Sequence, residues 1–171
     1  MFVKICGITT EEDALLATAL GADAVGFIFA PSPRQVHAQL VHDIVRRLPP
    51  EILTVGVFRD EHPDRVIDMV TQSGLRAVQL SGHEPPEDAL RIHPTVRVLI
   101  KAFAAGSPQL PKAQEWGANV IMIDSPNPGS GTVFDWSRRA SCGTSPTRLQ
   151  SKTVPDPGLG ESIMITLAPH S

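Results

Sequence analysis

Cysteine is scarce in this 171-residue chain: Cys6 and Cys142 are the only two. Two thiols cannot frame a disulfide scaffold, and neither has the CxxC spacing of a zinc or redox motif, so a reducing compartment suits them and no metal is expected. Long apolar runs are missing as well, none approaching the roughly 18 residues of a membrane span. The amino terminus opens on a strand-like stretch without a signal-peptide pattern, which makes the cytoplasm the expected location. Basic charge is not in excess, with 15 Lys and Arg against 18 Asp and Glu and a formal net charge of −3. That balance leaves no electrostatic footprint for nucleic acid or an anionic membrane and points to a small-molecule partner. A glycine-rich nucleotide fingerprint is also lacking. The first turn that could carry one, Cys6-Gly7-Ile8-Thr9, matches neither GxGxxG nor the Walker pattern.

What is present is a composition of 42% hydrophobic and 19% charged residues, enough for one sizeable core in a single domain. Phe2-Val3-Lys4-Ile5-Cys6-Gly7 reads as a buried strand that places Phe2, Lys4 and Cys6 on one face and delivers Cys6 to its carboxyl end. A helix-start signal follows in Thr9-Thr10-Glu11-Glu12-Asp13, and the pattern of Ala14, Leu15, Ala17, Ala19 and Leu20 predicts a helix over 11–20, stopped by Gly21. Apolar runs at 24–30, 53–58, 77–80, 96–101 and 120–124 predict five more strands, covered on both faces as in a parallel sheet. Between them, helices are expected at 38–48, 65–72, 87–92 and 107–116, the last restricted by Pro108 and Pro111 to a start near those prolines.

Strands alternating with helices imply parallel pairing through right-handed crossovers, hence an α/β fold. Without a nucleotide fingerprint on the first turn, a (β/α) TIM-type barrel is favoured over an open doubly wound sheet. After Asp135, a candidate cap for a sixth helix, the periodicity stops. Residues 138–160 are dominated by Ser, Thr, Pro, Gly and Arg, and only 163–168 is strand-like. The expectation is an incomplete barrel of about six βα units over 1–137, with an irregular, disordered or frameshifted tail over 138–171.

Reactive groups in a barrel belong at the carboxyl ends of strands, and two are found there: Cys6 after strand one and Asp124 after strand six. Singly, the thiol is more often a small buried hydrophobe and the carboxylate, before Ser125-Pro126, a turn residue. Together they can supply a base and an acid to opposite sides of one small substrate. Lys4, two residues from Cys6 on the same face, could favour a thiolate or could form a structural ion pair. Arg34, beside Pro31 and Pro33, is mounted rigidly enough to grip a carboxylate with its forked guanidinium.

Six ordered motifs carry a resemblance: Lys4-Ile5-Cys6-Gly7-Ile8-Thr9, Gly21-Ala22-Asp23-Ala24-Val25-Gly26-Phe27, Ser32-Pro33-Arg34, Val55-Gly56-Val57-Phe58, Val78-Gln79-Leu80, and Gly129-Ser130-Gly131 leading to Phe134-Asp135-Trp136. Over residues 1–137 the chain resembles phosphoribosylanthranilate isomerases of tryptophan biosynthesis. The resemblance implies a (β/α)8 barrel and an Amadori rearrangement of a phosphosugar–anthranilate substrate, with no cofactor and no metal. It further implies Cys6 as general base, Asp124 as general acid, Arg34 as the contact for the anthranilate carboxylate, and Gly129 and Gly131 in a loop that folds over substrate. Oligomeric state is left open.

The chain departs from the family at Ser81, where a histidine is common, and at Thr132, where a lysine is common. The phosphate-binding glycine segments expected after strands seven and eight do not occur in 138–171. Two rivals follow. A partial barrel with open edges on strands one and six could serve as an inactive remnant or assembly module. A different phosphosugar barrel enzyme, such as an epimerase or indoleglycerol-phosphate synthase, would use acid and base residues other than Cys6 and Asp124.

Overall fold

The computed structural model describes residues 2–124, 147–154 and 163–167. Within the first of these, six strands alternate with helical segments in the order β1 (Lys4–Cys6), α1 (Glu11–Ala19), β2 (Ala24–Ile28), α2 (Ala38–Val45), β3 (Leu53–Phe58), α3 (Pro63–Ser73), β4 (Ala77–Leu80), α4 (Pro86–Ile92), β5 (Val98–Ala104), a 3-10 segment (Leu110–Trp116) and β6 (Val120–Asp124). All neighbouring pairs from β1 to β6 are parallel. The fold is the incomplete (β/α) barrel anticipated from the alternation of strand and helix patterns.

Local chemistry fixes the boundaries. Thr10 caps α1 by accepting from the Asp13 N–H at 3.2 Å, and Glu11, Glu12 and Asp13 sit where the helix dipole favours carboxylates. His62 caps α3 through Nδ1, Pro63 occupies the first turn, and Gly74 ends it with φ of 70°. The segment expected as a helix over 107–116 is instead a 3-10 helix, Leu110–Trp116, since a proline in its first turn fits a short tight coil as well as an α-helix. In α1, Ala14 and Ala17 face the sheet, while Leu15, Leu16 and Leu20 are exposed. The apolar pattern located this helix, but its alanines, which allow close approach to the sheet, make the contact.

The strands separate two cores. On the helix side, Val25, Phe27, Phe58, Val78, Leu80, Leu99, Phe103 and Ile121 pack with Val41, Ile44, Val66, Val70, Ala89 and Ile92 of the helices. On the inner side lies a smaller cluster of Ala24, Val55, Ala77, Ile100, Ala102 and Met122, flanked by Phe2, Leu53, Val98 and Val120. This division is the period-two alternation of a sheet covered on both faces.

Two strands extend the sheet within 138–171. β7 (Thr147–Val154) pairs parallel to β6, and β8 (Ile163–Leu167) pairs antiparallel to β7 and lies beside β1. The strand-like piece at 163–168 is therefore a strand, and a second occurs at Thr147–Val154 where composition gave no period. An antiparallel last pair is not a βα repeat, since only parallel neighbours need a crossover. The free β6 edge on which an assembly module would depend is paired with β7. Among the described residues no helix is long and apolar enough to cross a membrane.

Candidate active site

Cys6 is the last residue of β1 and Asp124 the last of β6, so parallel pairing from β1 to β6 puts both at the carboxyl edge of the sheet. Alternation sets their side. Phe2 flanks the inner cluster, so Lys4 and Cys6 share that face; Val120 and Met122 belong to it, so Asp124 does as well. The thiol is 7% exposed and the carboxylate half-buried. The two groups expected as a base and acid pair thus share one face and one rim, and the Asp124 carbonyl is pinned by the Ala105 N–H at 2.8 Å.

Arg34 reaches this rim from the β2–α2 loop. Its Nη1 donates to the Cys6 carbonyl oxygen at 3.1 Å, while its own N–H donates to Ser32 Oγ at 3.1 Å. Gln35 braces the same loop by donating from Nε2 to the Phe29 carbonyl at 2.8 Å. The guanidinium lies over Gly7, whose φ is +93° and where a β-carbon would come within 2.2 Å of Nη1. A glycine lets another group approach the backbone closely, and the group it admits here is Arg34. The turn is held by Gly7 and Ile8 N–H groups, both donating to the Gly26 carbonyl, at 2.9 and 3.0 Å.

Lys4 lies beneath Cys6 on the inner face and is 2% exposed. A β-carbon on Gly26 would stand 2.8 Å from Cys6 Sγ and 3.3 Å from Lys4 Nζ, so the thiol and the ammonium share the space over one glycine. Further along the rim, buried Gln79 donates from Nε2 to Ser81 Oγ at 2.9 Å. Its Oε1 is buried without a hydrogen-bond partner, an acceptor that a substrate hydroxyl could satisfy. Neither Gln79 nor Ser81 was singled out for a role in the sequence, although Gln79 is a polar residue inside an apolar strand and that contrast marks it. Gly129 and Gly131, expected in a loop over the substrate, lie outside the described residues.

A second polar centre sits on the helix side. Lys101 of β5 and Glu84 of the β4–α4 turn are 1% and 2% exposed and pair at 2.7 Å, and Lys101 Nζ also donates to the Gly82 carbonyl at 2.7 Å. Glu84 accepts from the N–H groups of Asp60 and Gly82, and its carbonyl accepts from Trp116 Nε1 at 2.8 Å. One residue, Glu84, thereby ties the β3–α3 turn, the β4–α4 turn and β5 through its carboxylate and the 3-10 segment through its carbonyl. Next to it, the Asp60 carboxyl is held below its usual range, chiefly because the His83 backbone N–H donates to it, with His83 and Arg59 charges adding to the effect against some burial. The hollow of about 390 Å³ between these turns, lined by Asp60, His62, His83, Glu84 and Asp88, has neither Cys6 nor Arg34 in its lining, and its buried carboxylate is already spent on Lys101. Among the described residues no cluster of His, Cys, Asp and Glu could hold a metal ion.

With this geometry in view, comparison with known proteins is informative. Residues 3–149 match the family model described as N-(5'phosphoribosyl)anthranilate (PRA) isomerase. The chain is 43% identical over 141 residues to the N-(5'-phosphoribosyl)anthranilate isomerase of Desulforudis audaxviator, an alignment covering 78% of this chain and 68% of that protein. It superposes on the crystal structure of phosphoribosyl anthranilate isomerase from Thermus thermophilus with a TM-score of 0.73 and 42% identity, covering 79% of this chain and 68% of the other. A further phosphoribosyl anthranilate isomerase structure, in complex with reduced 1-(o-carboxyphenylamino)-1-deoxyribulose 5-phosphate, is similar at TM-score 0.70 and 37% identity, over 80% of this chain and 67% of that one.

Proposed function

This chain belongs to the N-(5'-phosphoribosyl)anthranilate isomerase family, and from that membership we propose that its carboxyl rim catalyses the Amadori rearrangement of N-(5-phosphoribosyl)anthranilate to 1-(2-carboxyphenylamino)-1-deoxyribulose 5-phosphate in tryptophan biosynthesis. The observation that carries the reading is the placement of Cys6 and Asp124 on one face at one edge of a parallel sheet.

The chemistry needs one proton delivered and one removed. Asp124 in its acid form protonates the furanose ring oxygen, the C1–O bond breaks, and the electron pair on nitrogen forms the Schiff base. The cationic nitrogen then acidifies the C2 proton, which Cys6 removes as thiolate. The C2–H electrons become the C1=C2 bond of an enolamine, which tautomerises to the ketone. Only protons move, so no redox cofactor enters. Arg34, anchored through Nη1, would present the remaining donors of its fork to the anthranilate carboxylate and so hold C2 near the thiol. Gln79 Oε1 offers an acceptor to a sugar hydroxyl. These proton transfers need no membrane or nucleic acid, and the cytoplasm is the proposed location.

The fluorescence loss of phosphoribosylanthranilate on addition of purified protein measures the reaction. Cys6→Ala and Asp124→Asn are each expected to lower kcat by about 10²- to 10⁴-fold, the usual span for a lost acid or base. Turnover that survives Cys6→Ala unchanged would reject this assignment and favour a different phosphosugar chemistry.

A further inference from the structure

We propose that Lys4 is a positioning residue for the base, its buried ammonium serving as the counter-charge that holds Cys6 as the thiolate. The proposal rests on Cys6 being the base that takes the C2 proton. It begins from a contrast between two buried lysines in one sheet. Lys101, 1% exposed, has a carboxylate and a carbonyl on its ammonium, each at 2.7 Å. Lys4, 2% exposed, has no hydrogen-bond partner for Nζ among the described residues. An ammonium withdrawn from water without an anion is costly by several kcal/mol, so a neighbour that can become an anion is stabilised in that form.

The neighbour is identified by Gly26. A single added carbon at that glycine would touch Cys6 Sγ at 2.8 Å and Lys4 Nζ at 3.3 Å, so sulfur and nitrogen both border the space over Gly26. The charged groups facing Cys6 are few. Lys4 stands on its own strand, the Arg34 guanidinium approaches from the β2–α2 loop but bonds the Cys6 carbonyl, and Asp124 occupies the same inner face at the end of β6. Of these, Lys4 is the cation that shares the Gly26 space with the sulfur.

During the reaction the C2–H bond breaks and an S–H bond forms, so the pair passes from thiolate and ammonium to thiol and ammonium. The electrons go to the C1=C2 bond and neutralise the cationic nitrogen of the substrate. Lys4 makes no bond to substrate in this scheme; it sets how much of Cys6 is ready to act.

The test uses the full chain in a Cys142→Ser background, reading the ultraviolet absorbance of the thiolate against pH as the difference from the Cys6→Ser protein. The chain has no tyrosine, so no phenolate band overlaps at high pH. Lys4→Met is expected to move the midpoint up from the parent's by at least about one unit. Lys4→Arg should restore most of the difference. For the turnover of phosphoribosylanthranilate, Lys4→Met should lower kcat at neutral pH by about ten-fold, recover toward high pH, and leave KM unchanged within about two-fold.

Coincident midpoints for parent and Lys4→Met would overturn the proposal and leave Lys4 a structural residue. A parent midpoint at or above the ordinary value would overturn it even if Lys4→Met failed to fold. Because the absorbance needs no turnover, a chain inactive toward phosphoribosylanthranilate but with the shifted midpoint would refute the proposed function and not the role of Lys4.

Discussion

Gly26 bears no reactive group, yet the ends of the Cys6 and Lys4 side chains both occupy the space its missing side chain leaves. Gly26→Ala would place a carbon 2.8 Å from Sγ and 3.3 Å from Nζ. Both are ends of side chains and can yield, so the fold should survive with a loss of about 1–3 kcal/mol from overpacking. The displaced sulfur should lower kcat by about 10²-fold, as an ångström-scale misplacement does. Urea unfolding together with single-turnover kinetics would show both effects. Gly7 is different, since its φ of +93° lies outside the range L-residues prefer and Arg34 already fills the space. Asp60 gives a prediction in pH. It tolerates φ of 53°, which Asn also tolerates, so Asp60→Asn changes charge without forcing the backbone. A carboxyl held below its usual value by the His83 N–H adds stability above the ordinary carboxylate range, and that contribution is lost as pH falls through it to the folded value. The parent should therefore resist urea better than Asp60→Asn near neutral pH, and the two midpoints should converge as pH falls through and below the ordinary carboxylate range. At this scale the placement of Cys6, Asp124 and Arg34 at one rim was legible, because strand ends and a proline-flanked loop announce position. The closeness of Lys4 to sulfur was legible only as a shared strand face, since it depends on a glycine in the neighbouring strand.

Among the elements, the strands were readable almost residue for residue at Leu53–Phe58, Ala77–Leu80 and Val120–Asp124, because a strand buried on both faces leaves an uninterrupted apolar run. The turn network was not. Glu84 lies in a polar loop and Lys101 in an apolar strand 17 residues later, and nothing local couples them. Their pairing follows from β4 and β5 being neighbours. Removing Glu84 should be severe. Glu84→Ala strands a buried ammonium and frees the Asp60 and Gly82 N–H groups, so a loss of about 3–5 kcal/mol is expected in urea unfolding. The double variant Glu84→Gln with Lys101→Met should recover part of that loss, because an uncharged pair no longer demands a counter-ion. If instead Glu84→Ala cost less than about 1 kcal/mol, the carboxylate would not be tying the turns, and their order would come from Trp116 and the apolar core alone.

For the molecule as a whole, the question is how a rim proposed to carry the base, the acid and the carboxylate contact would handle the phosphate of its substrate. The barrel class could be read from alternation alone. The end of the repeat could also be read, because βα periodicity fades after Asp135, and the last strand pair is antiparallel where a repeat would be parallel. Phosphate recognition in such barrels relies on glycine-rich turns whose N–H groups and helix ends receive the anion. Those glycine segments do not occur in 138–171, and the alignments cover 68% of a relative such as the Desulforudis audaxviator protein. Each hydrogen bond to a charged group is worth about 1.5–3 kcal/mol, so losing two or more weakens phosphate binding by at least about 10²-fold. That energy is used at the reacting centre, which a remote phosphate helps to orient. The 171-residue polypeptide should therefore discriminate poorly between phosphoribosylanthranilate and its dephosphorylated analogue. A kcat/KM ratio within about ten-fold is expected, with the Thermus thermophilus enzyme assayed alongside giving a much larger one. The experiment separates two parts of the site that catalysis normally uses together. A small ratio with measurable turnover would show that Cys6 and Asp124 act without a phosphate anchor. A ratio as large as the relative's would mean that other residues of this chain hold the phosphate, and Arg34 would then be the first to substitute, since it is the cation already standing at the rim.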